Sequence, residues 1–213
     1  MKKYLKIIIP VAAGVLLLII LGIVYLIRKN MPNSEKMPLS QYFGVEEKSE
    51  QAVLIVEDKI TDAGCIYQDG KIYIAFDYVK ENFNSRFYWD ANENLLLYTT
   101  PTTEISVEPG ATDCLIGRSK ESKDYVMAIS ANEQIYVAAD YIKEYTAFQY
   151  QVYQNPNRVV VTNIFNEEKD YVKTTDSCAL RYKASIKSRV LKNLKEETEL
   201  RLLKKEDKET GFC

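Results

Sequence analysis

Histidine is absent from the 213 residues. That removes imidazole-based catalytic triads, histidine-ligated zinc or copper, and a proton switch near neutral pH. Cysteine is sparse. Cys65, Cys114, Cys178 and Cys213 stand far apart with no CxxC pair, so neither a zinc ribbon nor a dithiol redox motif is expected. A Cys65–Cys114 disulfide is the one pairing considered, and it needs an oxidising compartment. No glycine-rich phosphate loop occurs, no catalytic residue is evident, and no cofactor or metal is expected.

Basic charge is scarce where a nucleic-acid binder needs it. Residues 31–178 carry 13 Lys/Arg against 24 Asp/Glu, so no nucleic-acid partner is expected. From Ala179 onward the balance reverses, with 10 basic and 6 acidic residues. Such a tail either meets an anionic polymer or is a solvated surface.

One stretch lacks charge altogether, from Ile7 to Ile27. At helical rise it spans roughly 30 Å, the thickness of a bilayer core. A cleaved signal peptide has a shorter apolar core and a small-residue cleavage site, whereas the exit here reads YLIRKNMP. The expectation is a single-pass signal anchor in the lipid bilayer of the cell membrane. Lys2, Lys3 and Lys6 outweigh Arg28 and Lys29, which puts the N-terminus in the cytoplasm and the remainder outside.

What is present twice is a phrase. KIYIAFDYVKENF, from Lys71 to Phe83, is echoed by QIYVAADYIKEYT, from Gln134 to Thr146. At an offset of 63 residues no gap is needed through Thr99 and Thr162, and seven of the ten positions from Ile72 to Glu81 are identical. Such self-similarity marks two copies of one supersecondary unit. KIYIA and QIYVA alternate as strands do. Phe76, Val79 and Phe83, and likewise Ala139, Ile142 and Thr146, fall at helical spacing. Asn84 is the expected left-handed stop. RFYWD and LLLYTT make a hairpin around ANEN, and the second copy turns at QNPN, where Pro156 suits a loop. Strands over 52–57 and 125–129 are expected to lead into the copies. One unit is too small to be stable alone, but two can close a single core.

The stretch KIYIAFDYVKENFNSRFYWDANENLLLYTT resembles the repeat of the copper amine oxidase N-terminal-like domain of Gram-positive surface proteins. Phe87-Tyr88-Trp89-Asp90 carries the Trp-Asp strand of that repeat, whereas Val152-Tyr153 replaces Trp-Asp in the second copy. The resemblance runs from about Gln51 to Asn163. It implies an accessory, stalk-like or wall-associated module. It does not imply copper, because the metal of the amine oxidases belongs to another domain.

From Tyr171 the chain resembles the start of a bacterial SH3 domain. Leu180-Arg181, Ser185, Ser188, Val190-Leu191, Leu194, Thr198, Leu200, Leu202 and Leu203 fall on its pattern, with Gly211-Phe212 at its Gly-Trp step. Glu197 stands where that family has a turn glycine. The same residues also fit an amphipathic helix through Leu191, Leu194, Thr198 and Leu202; the SH3 resemblance favours strands. Anchor, paired repeat and SH3 domain together resemble membrane-attached glycoside hydrolase family 18-like enzymes. Their Asp-x-x-Asp-x-Asp-x-Glu motif is missing here, so a hydrolase barrel is expected only beyond Cys213.

The expected fold class is α+β. It comprises a transmembrane helix within residues 1–30, a linker over 31–50, the duplicated strand–helix–hairpin domain over 51–166, and an incomplete SH3-like β-barrel over 170–213. Tyr73, Tyr78, Trp89, Tyr136 and Tyr141 are the candidate sugar-stacking residues; the competing reading is that Tyr73 and Tyr136 alternate with core residues on a strand and brace the sheet. Asp77 and Asp140 either form a carboxylate pair or cap the short helices. Lys80-Glu81 and Lys143-Glu144 decorate the helix surface. Two functions follow: a membrane-anchored extracytoplasmic module that binds peptidoglycan or another wall glycan without catalysis, or the stalk of a longer glycosidase.

Overall fold

The computed structural model describes the backbone of residues 2–163 and 170–202, and the side chains of residues 14–163 and 170–202. The chain divides into two compact units. One is Pro38–Asp170 with Arg201–Leu203; the other is Met1–Met37 with Tyr171–Leu200 and Lys204–Cys213.

Helix α1 (Lys2–Asn30) opens the chain. In the larger unit a short α2 (Leu39–Phe43) stops at Gly44, whose left-handed backbone (φ 70°) returns its N–H to Ser40 O. Strand β1 (Val53–Val56) turns into β2 (Lys59–Ile60), and β3 (Cys65–Gln68) into β4 (Lys71–Ala75). Helix α3 (Phe76–Tyr78) continues as a π-helical turn (Val79–Phe83), closed by Asn84 N–H on Val79 O at 2.9 Å. An antiparallel meander follows through β5 (Phe87–Asp90), β6 (Leu95–Thr99), β7 (Glu104–Val107), β8 (Asp113–Ile116) and β9 (Ser119–Ser122). The second copy runs as β10 (Ala128–Ala131), β11 (Gln134–Ala138), α4 (Ala139–Tyr145), β12 (Phe148–Tyr153) and β13 (Arg158–Asn163).

At the 63-residue offset β3 matches β10 and β4 matches β11, end for end. These four strands form one sheet in the order β10-β11-β4-β3. Its central pair is antiparallel, with Ile74 opposite Val137. Those two positions are equivalent in the repeat, so a local two-fold axis passes between them. Both copies bend from strand to helix the same way: Ala75 N–H reaches Gly64 O and Ala138 N–H reaches Met127 O, each at 2.9 Å. A third sheet, β12-β13-β1-β2, seats β1 parallel to β13.

The copies share one interior. A single buried cluster includes Ile72, Ile74, Val79, Phe87 and Leu96 from the first and Val137, Tyr141, Ile142, Val159 and Val161 from the second. Aromatic rings cross between them. Tyr98 of β6 stacks on Tyr145 of α4 at 4.0 Å, and Phe83 stacks on Phe148 at 5.3 Å. Asn84 adds a polar tie, donating to Tyr145 O (3.0 Å) and Thr146 Oγ1 (3.3 Å). Each large apolar side chain buried this way contributes about 1.5–3 kcal/mol.

Several expectations need correction. The fold is mostly β-sheet with few short helices beyond α1, rather than α+β. Among the described residues no helix is long and apolar enough to cross a membrane. Leu16 to Ile27 of α1 are exposed. The expected transmembrane anchor from Ile7 to Ile27 and the single-pass cell-membrane localisation are therefore not supported. Cys65 and Cys114 carry free thiols on different sheets, and burial pushes the Cys65 thiol up to about 12. Asn84 leaves its helix extended (φ −157°), not left-handed. Neither helix has a side-chain cap. The strand leading into the second copy is Ala128–Ala131, and its sister is Cys65–Gln68 rather than the strand at 53–56.

In the terminal unit the Lys187 ammonium donates to Arg28 O and Met31 O at the end of α1, where carbonyls lack intrahelical partners. The tail holds β14 (Tyr171–Lys173), β15 (Cys178–Arg181), β16 (Val190–Leu194) and β17 (Glu199–Arg201). β15 pairs with β16 and β14 with β17, as two two-stranded sheets, so the helical alternative does not hold. Glu197 takes φ 59° in the turn between β16 and β17. Leu203, Gly211-Phe212 and Cys213 lie outside the described residues.

Asp140 joins the copies electrostatically. It takes the Lys71 ammonium at 2.7 Å and the Tyr150 hydroxyl at 2.5 Å. Burial opposes its ionisation, but Lys71 and Tyr150 outweigh burial and hold it below the usual carboxylate value. The stabilisation is therefore present above the unfolded value near 3.9 and is lost as pH falls through the lower folded one. Denaturant titrations across acid pH are expected to show this loss in the parent chain and a shallower slope in Asp140→Asn; equal slopes would contradict it.

Candidate functional site

At the start of α3 the chain encloses a cleft of about 320 Å³. Strand β4 delivers Ala75 and then Phe76, Asp77 and Tyr78 to its wall, and β5 delivers Trp89. Alternation along β5 turns Phe87 and Trp89 to the same side. Phe87 is fully buried, while Trp89, nearer the strand end, is half-buried and packs on the core. From the second copy come Glu133 and Gln134, at the turn between β10 and β11. The cleft thus exists only because β11 pairs with β4.

Two details of the backbone shape it. Glu133 adopts φ 62°, a left-handed conformation that costs a side-chain-bearing residue roughly 1–2 kcal/mol. Its sister position in the first copy is Gly70, at φ 78°. Gly64 also lines the cleft, and a Cβ there would come within 3.1 Å of the Tyr136 hydroxyl. That hydroxyl in turn donates to Gln134 Oε1 at 3.3 Å.

Of the five candidate stacking residues, the structure brings Tyr78 and Trp89 together in this cleft. Tyr73, Tyr136 and Tyr141 are only 3%, 5% and 1% exposed. They have no free face for a sugar ring: Tyr73 and Tyr136 are buried in strands β4 and β11, and Tyr141 is buried in helix α4. Burial raises the Tyr141 phenol far above its ordinary value, and the neighbouring Tyr145 hydroxyl adds to the shift. Burial also raises Tyr78, so both phenols stay protonated as donors. The sequence reading missed Glu133 and Gln134. Their signal was present, because a glutamate stands where the repeat has glycine.

The arrangement combines two aromatic walls with two carboxylates and an amide. It can hold a ligand that is flat and apolar on one side and carries hydrogen-bond donors at its edge. Asp77 and Asp140 are not a pair: Asp77 lines the cleft, while Asp140 is engaged with Lys71. Replacing Glu133 with glycine removes the backbone strain, so Glu133→Gly is expected to raise stability by up to about 1 kcal/mol in denaturant unfolding. A loss of that size would contradict the strain.

The sequence profile of the copper amine oxidase N-terminal domain matches residues 53–162, more than half of the chain. No curated protein and no solved structure matches significantly. The residues do not fit a copper centre. The sequence has no histidine, and among the described residues no group of three or more His, Cys, Asp or Glu could hold a metal ion. The matched span begins with β1 and closes within β13, enclosing both copies, the shared interior and the cleft. The chain belongs to the copper amine oxidase N-terminal domain family.

Proposed function

We propose that the duplicated domain is a non-catalytic accessory module that binds a cell-wall glycan in the cleft of Trp89 and Tyr78. The observation that carries this reading is the composition of that cleft. Two half-exposed aromatic rings share a cavity with Asp77, Glu133 and Gln134. Sugar rings present an apolar face to aromatic side chains and hydroxyls to carboxylates and amides. The cavity is at the lower end of the range for small-ligand pockets, roughly 300–1,000 Å³.

The tail supports the same reading. Its likeness to bacterial SH3 domains gains from Glu197, which takes the left-handed turn where that family has glycine. A wall-facing module of that class in the same chain as the cleft-bearing domain fits a chain that attaches to glycan.

Trp89 is the only tryptophan in the sequence, so indole emission reports on the cleft alone. Titration with soluble peptidoglycan fragments and chito-oligosaccharides is expected to change that emission saturably. By calorimetry, Trp89→Ala is expected to weaken binding about tenfold, one stacking contact's worth. Unchanged emission and no heat with any of these glycans would overturn the proposal.

A further inference from the structure

The duplication supplies a view of this cleft in a filled state. At the 63-residue offset Asp77 corresponds to Asp140, Tyr78 to Tyr141, and Gln134 to Lys71. In the sister site Lys71 places its ammonium 2.7 Å from Asp140 Oδ2 and 4.9 Å from the centre of the Tyr125 ring. The second copy thus satisfies its aspartate with a cation from the chain itself. Asp140 and Lys71 hold each other's charge: the Asp140 contact raises the Lys71 ammonium above its ordinary value.

The first copy cannot do this. The position that would supply the ammonium is Gln134, which has no charge, and the charged groups lining the cleft are Asp77 and Glu133. Lys80, on the π-helical turn after α3, holds its ammonium over the Phe76 and Tyr88 rings, at 5.9 and 5.6 Å. Bulk changes in the same sense. Trp89 and Phe76 stand where the sister site has Val152 and Ala139. The open site has lost the internal cation and gained aromatic surface.

We infer that the cleft takes an ammonium group of its ligand on Asp77, in the place that the Lys71 ammonium takes on Asp140, with the rest of the ligand against Trp89 and Tyr78. Resting on the glycan reading above, this makes the ligand an amino sugar with a free amine, a glucosamine unit without its acetyl group. Glu133 adds a second carboxylate, on the side where the sister site has Gly70.

The test follows Trp89 emission with the full chain at mildly acidic pH, where a sugar amine is protonated. The probes are a deacetylated chitosan oligosaccharide, the fully N-acetylated oligomer of the same length, and spermidine as a cation with no sugar. The expected result is about tenfold tighter binding of the chitosan oligomer than of the acetylated one, the worth of one hydrogen bond to a charged group. Gln134→Lys is expected to remove that preference while keeping the parent's thermal midpoint, because the sister position already accommodates lysine beside aspartate. Asp77→Asn is the second variant and should remove the preference too. Equal affinity for the two oligomers would overturn the inference and leave the glycan reading standing. Binding of spermidine alone, lost in both variants, would uphold the ammonium site and remove the glycan. No response to any probe would remove both.

Discussion

Where β4 meets β11, Ile74 lies opposite Val137 and the two copies become related by rotation about that point. The rest of the larger unit depends on this pairing. It sets α3 against β11 and α4 against β4, so that each helix packs on the other copy's strand. It carries the Phe87 and Tyr98 rings to Tyr141 and Tyr145, closing the interior on one side. On the other side it carries Phe83 to Phe148. Neither copy has enough apolar surface to do this alone, because a few strands and two helical turns leave most of their faces in water.

Two copies built on one plan need not stay alike at their polar positions. Near the axis the chain has solved the same local problem twice, in different ways. The second copy neutralises its aspartate with Lys71 and hydrogen-bonds it to the Tyr150 hydroxyl. The first keeps glutamine at the matching place and enlarges the aromatic wall. A buried or half-buried carboxylate is stable when paired. The fold thus separates a paired aspartate from an open cleft by a handful of side chains.

Much of this was legible from residue patterns. The 63-residue repeat gave the strand–helix–hairpin grammar, because alternation in KIYIA and QIYVA and helical spacing in the following segment survive in both copies. The family emerged from FYWD with its hairpin. Other features were hidden, each for a physical reason. The hairpin β3–β4 was missed because CIYQ and AISA share little except their register, and backbone pairing needs no identity. Tyr73 and Tyr136 look like surface aromatics in an alternating strand, yet successive residues of β4 and β11 are buried, so both faces of the strands are covered. Helix capping by Asp77 and Asp140 was a local inference, and a long-range partner, Lys71, took precedence at Asp140. Cys65 and Cys114 looked pairable only because spacing carries no spatial information.

The claim beneath all of this is that the copies form one cooperative interior. Amide hydrogen exchange of the native chain tests it directly at Ile74 and Val137, the equivalent residues facing each other across the axis. A shared core predicts that both amides exchange only through the same global opening, with equal free energies that fall in step as denaturant is added. Exchange of one copy's strand through a smaller, separate opening, with the other still protected, would contradict the account.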